Sequence, residues 1–444
     1  MKPRAAQQRE EQLSLMEVPM ERFLNKKHAL YQLAGKMSWE FFETEFGKHY
    51  DSVMGRPGHS TRLMVGLTFL KYAYDVSDER AVEEFLENPY WQYFCGFEYF
   101  QHEFPIDPSS MTRWRKRIGE EGAEKFVSES LRIAKEMNLL RTRDLKQVIV
   151  DTTVQEKDIA HPTDAKLCFK AREKLVKLAQ KEGIELRQSY ARKGKKILHQ
   201  QARYAHAKQF KRAQRATKSL KTQLGRVIRD IERKSATPSP WMNNLLETAK
   251  RIYAQKRDSK NKVYSVHAPE VECIAKGKAR KPYEFGNKVG VVTTCKGNWV
   301  LSSKAFHGNP YDGATLKKSL ENAEKITGIR VRESYVDRGY RGASHHPEGI
   351  AVYLSGQKRI PGFAKKLLRK RSAIEPVIGH MKSDHRMKVN HLGGVVGDQM
   401  NATLSGAAFN LRKLLRSLEA ELRRALFWLF TQLEFYAAPA LRPI

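Results

Sequence analysis

The feature that most constrains this fold is an interruption. A short β-branched run, Val148-Ile149-Val150, ends in Asp151 and has the composition of a buried strand. From about 165 to 262 the chain is then basic and helical, with apolar positions such as Leu220, Leu224, Val227 and Ile231 recurring at three and four. Strands return only after Ser265. A sheet must therefore close around a long helical insertion. The spacing predicts one helix for AREKLVKLAQKEG and a single, much longer one from Ile197 to Lys234.

Beyond the insertion, YEFGNKVGVVTTCKGNWVLSSKAF reads as two strands with a turn at Lys296-Gly297-Asn298. A helix follows in ATLKKSLENAEKITG, then a strand ending at Asp337 in SYVD, and a second apolar strand in GIAVYLSG. Asp151 and Asp337 each stand at the C-terminal end of a short apolar strand on this reading. Adjacent strands would bring the two acids to one sheet edge, where like charges cannot both ionise freely without a cation. Mg²⁺, which takes few protein carboxylates and keeps several waters, resolves that cost.

A third acid is found in RKRSAIEPVIGHMK. Pro376 is tolerated in the first turn of a helix, so it places Glu375 at a helix start or kinks a helix begun in AKKLLRKR. Arg371 precedes Glu375 by four residues and Lys382 follows by seven, two helical turns along one face. Both could hold phosphates beside a metal-bound Glu375. The alternative is a surface ion pair, worth little. The order of elements, with an acid on a strand, an insertion, a hairpin, a helix, an acid on a strand and an acid on a helix, is that of an RNase H-like sheet.

Charge points to the partner. Lys and Arg number 81 against 49 Asp and Glu, a formal net charge of +32. Such an excess repels itself unless a polyanion neutralises it, and nucleic acid does so with counterion release. The surplus is spread along the chain rather than gathered beside an apolar anchor, and no stretch has the length of a membrane span. The N-terminal MKPRAAQQREEQLSL lacks the apolar core of a signal peptide. Cys95, Cys168, Cys273 and Cys295 form no CxxC pair and suit a reducing compartment. His345, His346, His380 and His385 match no zinc spacing.

Ahead of the sheet, Ser60 and Ser77 are N-cap candidates, Leu63, Met64, Leu67 and Leu70 recur at helical spacing, and Tyr90, Trp91, Tyr93 and Phe94 read as core. A turn at Asp107-Pro108-Ser109-Ser110 opens a short helix with Arg113, Arg115, Lys116 and Arg117 around Trp114. That is what a helix-turn-helix module presents to the major groove; the alternative is a solvated basic face packed by Trp114 and Ile118.

The blocks VIVDTTVQEK, YEFGNKVGVVTT, SYVDRGYRG and RSAIEPVIGHMKSDHRM resemble those of DDE transposases of the IS4/IS5 group, most closely the IS5-like insertion-sequence transposases. GRPGHSTRLMVGLTFLKYAY resembles their helical N-terminal domain, and the likeness runs over roughly 20–415. It implies an α/β fold, an RNase H-like catalytic domain of mixed sheet flanked by helices, with Asp151, Asp337 and Glu375 as the metal-binding catalytic triad. The family signature Tyr-x2-Arg-x3-Glu-x6-Lys is met at Arg371, Glu375 and Lys382 and departs at Leu368. Lys288 in FGNKVG matches a lysine of the family's second strand, read as a phosphate contact or as structural support.

These readings divide the chain into an N-terminal lead (1–48), a helical DNA-binding domain (49–143), a catalytic domain (144–415) interrupted by the basic insertion at about 165–262, and a C-terminal helical tail (416–444). The expected cofactor is a pair of Mg²⁺ ions, with Mn²⁺ a possible substitute. The expected partner is double-stranded DNA, both terminal inverted repeats and target, bound through Arg113, Lys116, Arg117, Lys288, Arg371 and Lys382. The resemblance further implies a homodimer or larger assembly on DNA, in a bacterial cytoplasm at the nucleoid. An RNase H-like nuclease without strand transfer, and a non-catalytic DNA-binding descendant, share the same acids or bases.

Overall fold

The computed structural model describes residues 18–50, 58–235, 237–256, 258–275 and 282–437; Gly55 and Pro57, ahead of Ser60, lie outside them. The side chains of residues 422–437 lie outside them too.

Among the described residues, seven α-helices precede the first strand: α1 (Met20–Phe23), α2 (Ala29–Lys36), α3 (Trp39–Gly47), α4 (Thr61–Ala73), α5 (Asp78–Glu87), α6 (Pro89–Phe94) and α7 (Ser109–Glu136). Local chemistry sets their ends. The Ser77 hydroxyl accepts from Arg80 N at 3.1 Å, and Asn88 Oδ1 accepts from Tyr90 N at 3.0 Å with Pro89 in the first turn. Ser60 stands at the N-cap of α4 without a side-chain cap bond. Gly119, at φ 60° and ψ −162°, breaks α7 into two runs just after its basic segment. Trp91 and Phe94 are buried, in keeping with a core role.

Among the described residues the sheet has seven strands: β1 (Gln147–Lys157), β2 (Glu272–Ala275), β3 (Tyr283–Thr294), β4 (Val300–Phe306), β5 (Glu333–Val336), β6 (Ala351–Leu354) and β7 (Val389–Asn390). β1 is central. It pairs antiparallel with β3 along its length, parallel with β5 at its start and parallel with β7 at its end. β4 and β2 lie antiparallel on the outer side of β3, and β6 lies parallel beyond β5. The β3–β4 turn has positive φ at Gly297 (78°) and Asn298 (52°), as its composition predicts. Gly286 is required by a close approach: a Cβ there would lie 1.9 Å from the Gln155 carbonyl oxygen of β1.

Between β1 and β2 stand α8 (Asp164–Lys181), α9 (Ala191–His206), α10 (Phe210–Lys234) and α11 (Pro240–Ala254), with a hydrophobic core of their own that includes Leu175, Leu220, Leu224, Val227, Ile231 and Leu246. The single long helix expected from Ile197 to Lys234 is two helices. The chain reverses at Lys208, which takes a left-handed φ of 56°, because the apolar faces of α9 and α10 pack on each other rather than continuing along one axis.

α12 (Asp312–Thr327) ends at Gly328 in the left-handed region, and α13 (Gly362–Arg369), α14 (Ile374–Ser383) and α15 (Gly394–Ala437) complete the chain. Strand alternation decides what each face meets. Val148 and Val150 of β1 join the core that contains α12, α7, α15 and the N-terminal helices; Ile149 joins the one that contains α13 and α14. One core thus runs from the N-terminal helices into the sheet across residue 143. Bonds through α15 reinforce it: Tyr72 Oη donates to Asn401 Oδ1 at 3.0 Å, and Asn410 Nδ2 to Ser130 Oγ at 3.1 Å. The 415/416 division of the sequence reading falls inside α15.

Candidate active site

Asp151 is not at a strand end. β1 runs six residues beyond it to Lys157, held by β3, in which Val291 is its partner. What ends near Asp151 is the neighbour on the other side. β5 pairs Glu333 to Tyr335 with Gln147 to Ile149, so continuing that register sets Asp337 level with Asp151. β7 joins this edge of β1 only at Glu156. The carboxylate therefore stands at a gap in the sheet, on the same face as Ile149 and toward α14.

Burial, foremost, pushes the Asp151 carboxyl up to about 6, and the charges of Asp337 and Asp312 push the same way. The Thr152 N–H, donating to Oδ1 at 2.8 Å, and the nearby Arg371 guanidinium pull it down. Asp337 follows β5 directly and caps a 3₁₀ turn, with Oδ1 accepting from Gly339 N at 2.8 Å.

Glu375 lies in the first turn of α14. Both readings of Pro376 contain part of the outcome. A helical path does begin earlier, in α13, but tightens into a 3₁₀ segment over Lys370–Ala373 before α14 starts. Proline has no N–H to return to the Ser372 carbonyl, and a tightened turn accommodates that loss. Arg371, on the 3₁₀ segment, joins the two acids: Nη1 is 3.6 Å from Asp151 Oδ2, and Nη2 is 3.6 Å from Glu375 Oε1. The Glu375 side chain is 63 % exposed against 19 % for Asp151.

A fourth carboxylate, absent from the sequence reading, belongs to this cluster. Asp312, first residue of α12, accepts from Thr152 Oγ1 at 2.9 Å and from Lys288 Nζ at 2.9 Å. Thr152 follows Asp151 and so faces the opposite side of the sheet, toward α12. Lys288 is buried and also donates to the Pro310 carbonyl at 2.7 Å, which places its ammonium in support of Asp312. A Cβ at Gly339 would lie 3.0 Å from Asp337 Oδ1 and 3.3 Å from Asp312 Oδ2, so those two carboxylates converge on the glycine. The buried Tyr340 hydroxyl lies near Thr152 and in the field of Asp151, Asp312 and Asp337 without closing a full hydrogen bond; burial foremost, then those charges, holds it well above the ordinary tyrosine range. The signal for Tyr340 was its place three residues after Asp337, one 3₁₀ turn on. Asp312 had only the look of an ordinary helix-start acid.

The donor set is oxygen-only, and its four carboxylates exceed its two cations, Lys288 and Arg371. Among the described residues no three His, Cys, Asp or Glu side chains enclose a common metal position. Oxygen donors of this kind suit a hard divalent ion that keeps most of its waters. The histidines are dispersed: His346 meets the Tyr340 carbonyl, His380 meets Asp384, and His385 meets the Tyr72 carbonyl.

The basic helix at the start of α7 is sorted by burial. Arg113, Lys116 and Arg117 are exposed. Arg115 is buried with Trp114 and makes a two-pronged pair with Asp78, at 2.8 and 2.6 Å, which also takes Lys71 at 2.7 Å. Lys382 is half-buried on α14.

Residues 18–117 match the family model of a Transposase domain (DUF772). Over 191 residues, 43 % of this chain and 92 % of the relative, the sequence is 53 % identical to an uncharacterized protein, ORF8 in the nfe locus, of Rhizobium meliloti. The chain belongs to a transposase family. No solved structure matches it. The stretch of the transposase domain covers α1 to α6 and the basic start of α7, with Arg113, Lys116 and Arg117, and stops before the sheet. No helix among the described residues is long and apolar enough to cross a membrane.

Proposed function

We propose that this protein is a DDE transposase of the IS5-like type, with an RNase H-like catalytic domain, that binds the terminal inverted repeats of an insertion sequence, cuts DNA at the element ends and joins them to target DNA. One arrangement carries the reading: Asp337, just past the end of β5, comes level with Asp151 of β1 when the parallel register is continued, and Glu375 is linked to Asp151 through Arg371. The strand order, an antiparallel set β4–β3–β1 continued by parallel β5 and β6, accords with an RNase H-like sheet.

Two Mg²⁺ ions, or Mn²⁺, would supply Lewis acidity toward the scissile phosphate and its attacking oxygen when bound. Asp151, Asp337 and Glu375 would hold the ions through carboxylate oxygens. With those acids engaged, Arg371 would be left to pair with the DNA backbone, joined by Lys382 further along α14. Asp312 stays on Lys288 and Thr152 and keeps the Asp151 segment of β1 fixed. In-line phosphoryl transfer asks chiefly for this positioning and charge neutralisation. Arg113, Lys116 and Arg117 contact phosphates of the end DNA, and two ends require a dimer or larger assembly.

The test is a strand-joining assay with a labelled duplex carrying the element's ends, a target plasmid and Mg²⁺. Joined products are expected. Products cut but never joined would leave a nuclease instead. Unchanged DNA processing by Asp151→Asn and Glu375→Gln would remove the catalytic assignment. Both variants are expected to bind DNA, because binding rests on Lys and Arg.

A further inference from the structure

The insertion carries a feature that the active site does not use. Between Ala191 and Arg229 there are thirteen Lys and Arg and not one Asp or Glu. Ion pairs elsewhere in the insertion, such as Arg233 with Asp230 and Lys250 with Glu232, fall outside this stretch. Arg192, Lys193, Lys195, Lys196, Arg203 and Lys208 on α9 and its exit are all exposed, and Gly194 is the only buried residue of α9. A fold-stabilising face would carry acids among its bases; this one has the composition of a polyanion-binding surface.

The corner between α9 and α10 concentrates the feature. The helices are antiparallel: Gly194 lies against Gln223, and the Arg212 guanidinium lies over the Tyr204 ring at 5.9 Å. The first residue that α10 gives to the insertion's core is Leu220, and of the ten before it only Ala213 is buried. At the start of α10 stands Phe210, 69 % exposed, with Lys208, Lys211 and Arg212 beside it. An exposed phenylalanine alone is unremarkable; one at a corner ringed by cations is placed like the apolar wedges that enter between base steps.

The corner also lies on the working side of the insertion. A cavity of about 590 Å³ brings Lys211, Arg215 and Lys218 of α10 together with Asp164 in the first turn of α8 and Gln255 just past α11. Those are the points where the chain leaves β1 and turns back toward β2. The corner therefore sits at the sheet-side end of the four-helix unit.

We propose that the α9–α10 corner grips duplex DNA through Lys208, Lys211 and Arg212 and drives Phe210 between base pairs, unstacking the duplex beside the catalytic domain. This rests on the reading of the protein as one that acts on DNA. The test uses the full chain and duplexes with 2-aminopurine at flexible pyrimidine–purine steps. Wild-type protein should raise the 2-aminopurine fluorescence. Phe210→Ala should abolish that rise and weaken binding several-fold with an unchanged salt slope, and Phe210→Leu, still a wedge, should retain most of it. The triple Lys208→Ala, Lys211→Ala, Arg212→Ala variant should lower the log–log salt slope by about 2–3. A fluorescence rise that survives Phe210→Ala, or a salt slope untouched by the triple variant, overturns the proposal while leaving the transposase reading intact. A wild-type chain that binds no duplex even at low salt would remove both.

Discussion

The hydroxyl of Thr152 donates to Asp312 Oδ1 at 2.9 Å, which ties the start of α12 to the strand residue next to Asp151. The same oxygen takes the buried ammonium of Lys288. Removing the acid should therefore strand a buried cation. Asp312→Ala is expected to cost roughly 1–3 kcal/mol, discounted from a fully buried pair because Asp312 is a third exposed. Lys288→Met combined with Asp312→Ala should recover most of that loss. Urea denaturation measures both, and an Asp312→Ala protein as stable as wild type would show that the pair does not hold the site together.

The raised Asp151 carboxyl makes a pH prediction with a definite sign. Its value in the fold, about 6, lies above the ordinary 3.8, so between those values the folded state holds a proton that the unfolded state has lost. Metal-free stability should fall as pH rises from about 4 to 6 and stay level above. Asp151→Asn should then stabilise the metal-free protein at pH 7.5, by up to roughly 3 kcal/mol, and show little gain near pH 4. Denaturation in EDTA at the two pH values decides this. Divalent-ion affinity should show the reverse trend, rising about tenfold per pH unit up to about 6 and then levelling.

Gly339 occupies the space between two carboxylates. A methyl group there meets Asp337 Oδ1 at 3.0 Å and Asp312 Oδ2 at 3.3 Å, and Gly339 itself has no left-handed φ to strain. Gly339→Ala should leave folding within about 1 kcal/mol of wild type while lowering DNA processing at least tenfold, by displacing Asp337. Paired melting and turnover measurements separate this from simple misfolding; equal activity would mean that the carboxylates yield freely.

The basic segment of α7 should split in two under mutation. Arg115→Ala removes the two-pronged bond to Asp78, leaving Asp78 paired with Lys71 alone, and is expected to destabilise by about 1.5–3 kcal/mol. Arg113→Ala, Lys116→Ala and Arg117→Ala, at exposed positions, should leave stability nearly unchanged and each reduce the salt slope of DNA binding by about 0.9. A salt slope unmoved by all three would assign DNA contact to other surfaces.

Some of this was legible locally. The β-branched run before Asp151, the Gly297-Asn298 turn, the Ser77 cap and the glycine after α12 act within a few residues, so composition and spacing carry them. The order of β1, β3, β4, α12, β5 and β6 was legible for the same reason; β2 and β7 were not. Period-2 alternation even indicates that Asp151 and Thr152 face opposite sides of the sheet.

What lies opposite each face was decided only by tertiary structure. Nothing near residue 312 in the chain distinguishes an acid that clamps Thr152 and Lys288 from an ordinary helix-start aspartate. Nothing near residue 115 marks it off from Arg113 and Arg117; Asp78, 37 residues away, does that. The reversal at Lys208 depends on α9 finding more apolar contact on α10 than it would in solution. Asp151 looked like a strand terminus because its own apolar run stops there; the strand continues because β3 supplies partners as far as Glu156. A sequence records what each residue can donate, accept or bury. Which of those capacities is used depends on groups brought together from distant parts of the chain, and those encounters set the charge and geometry of the Asp151 site.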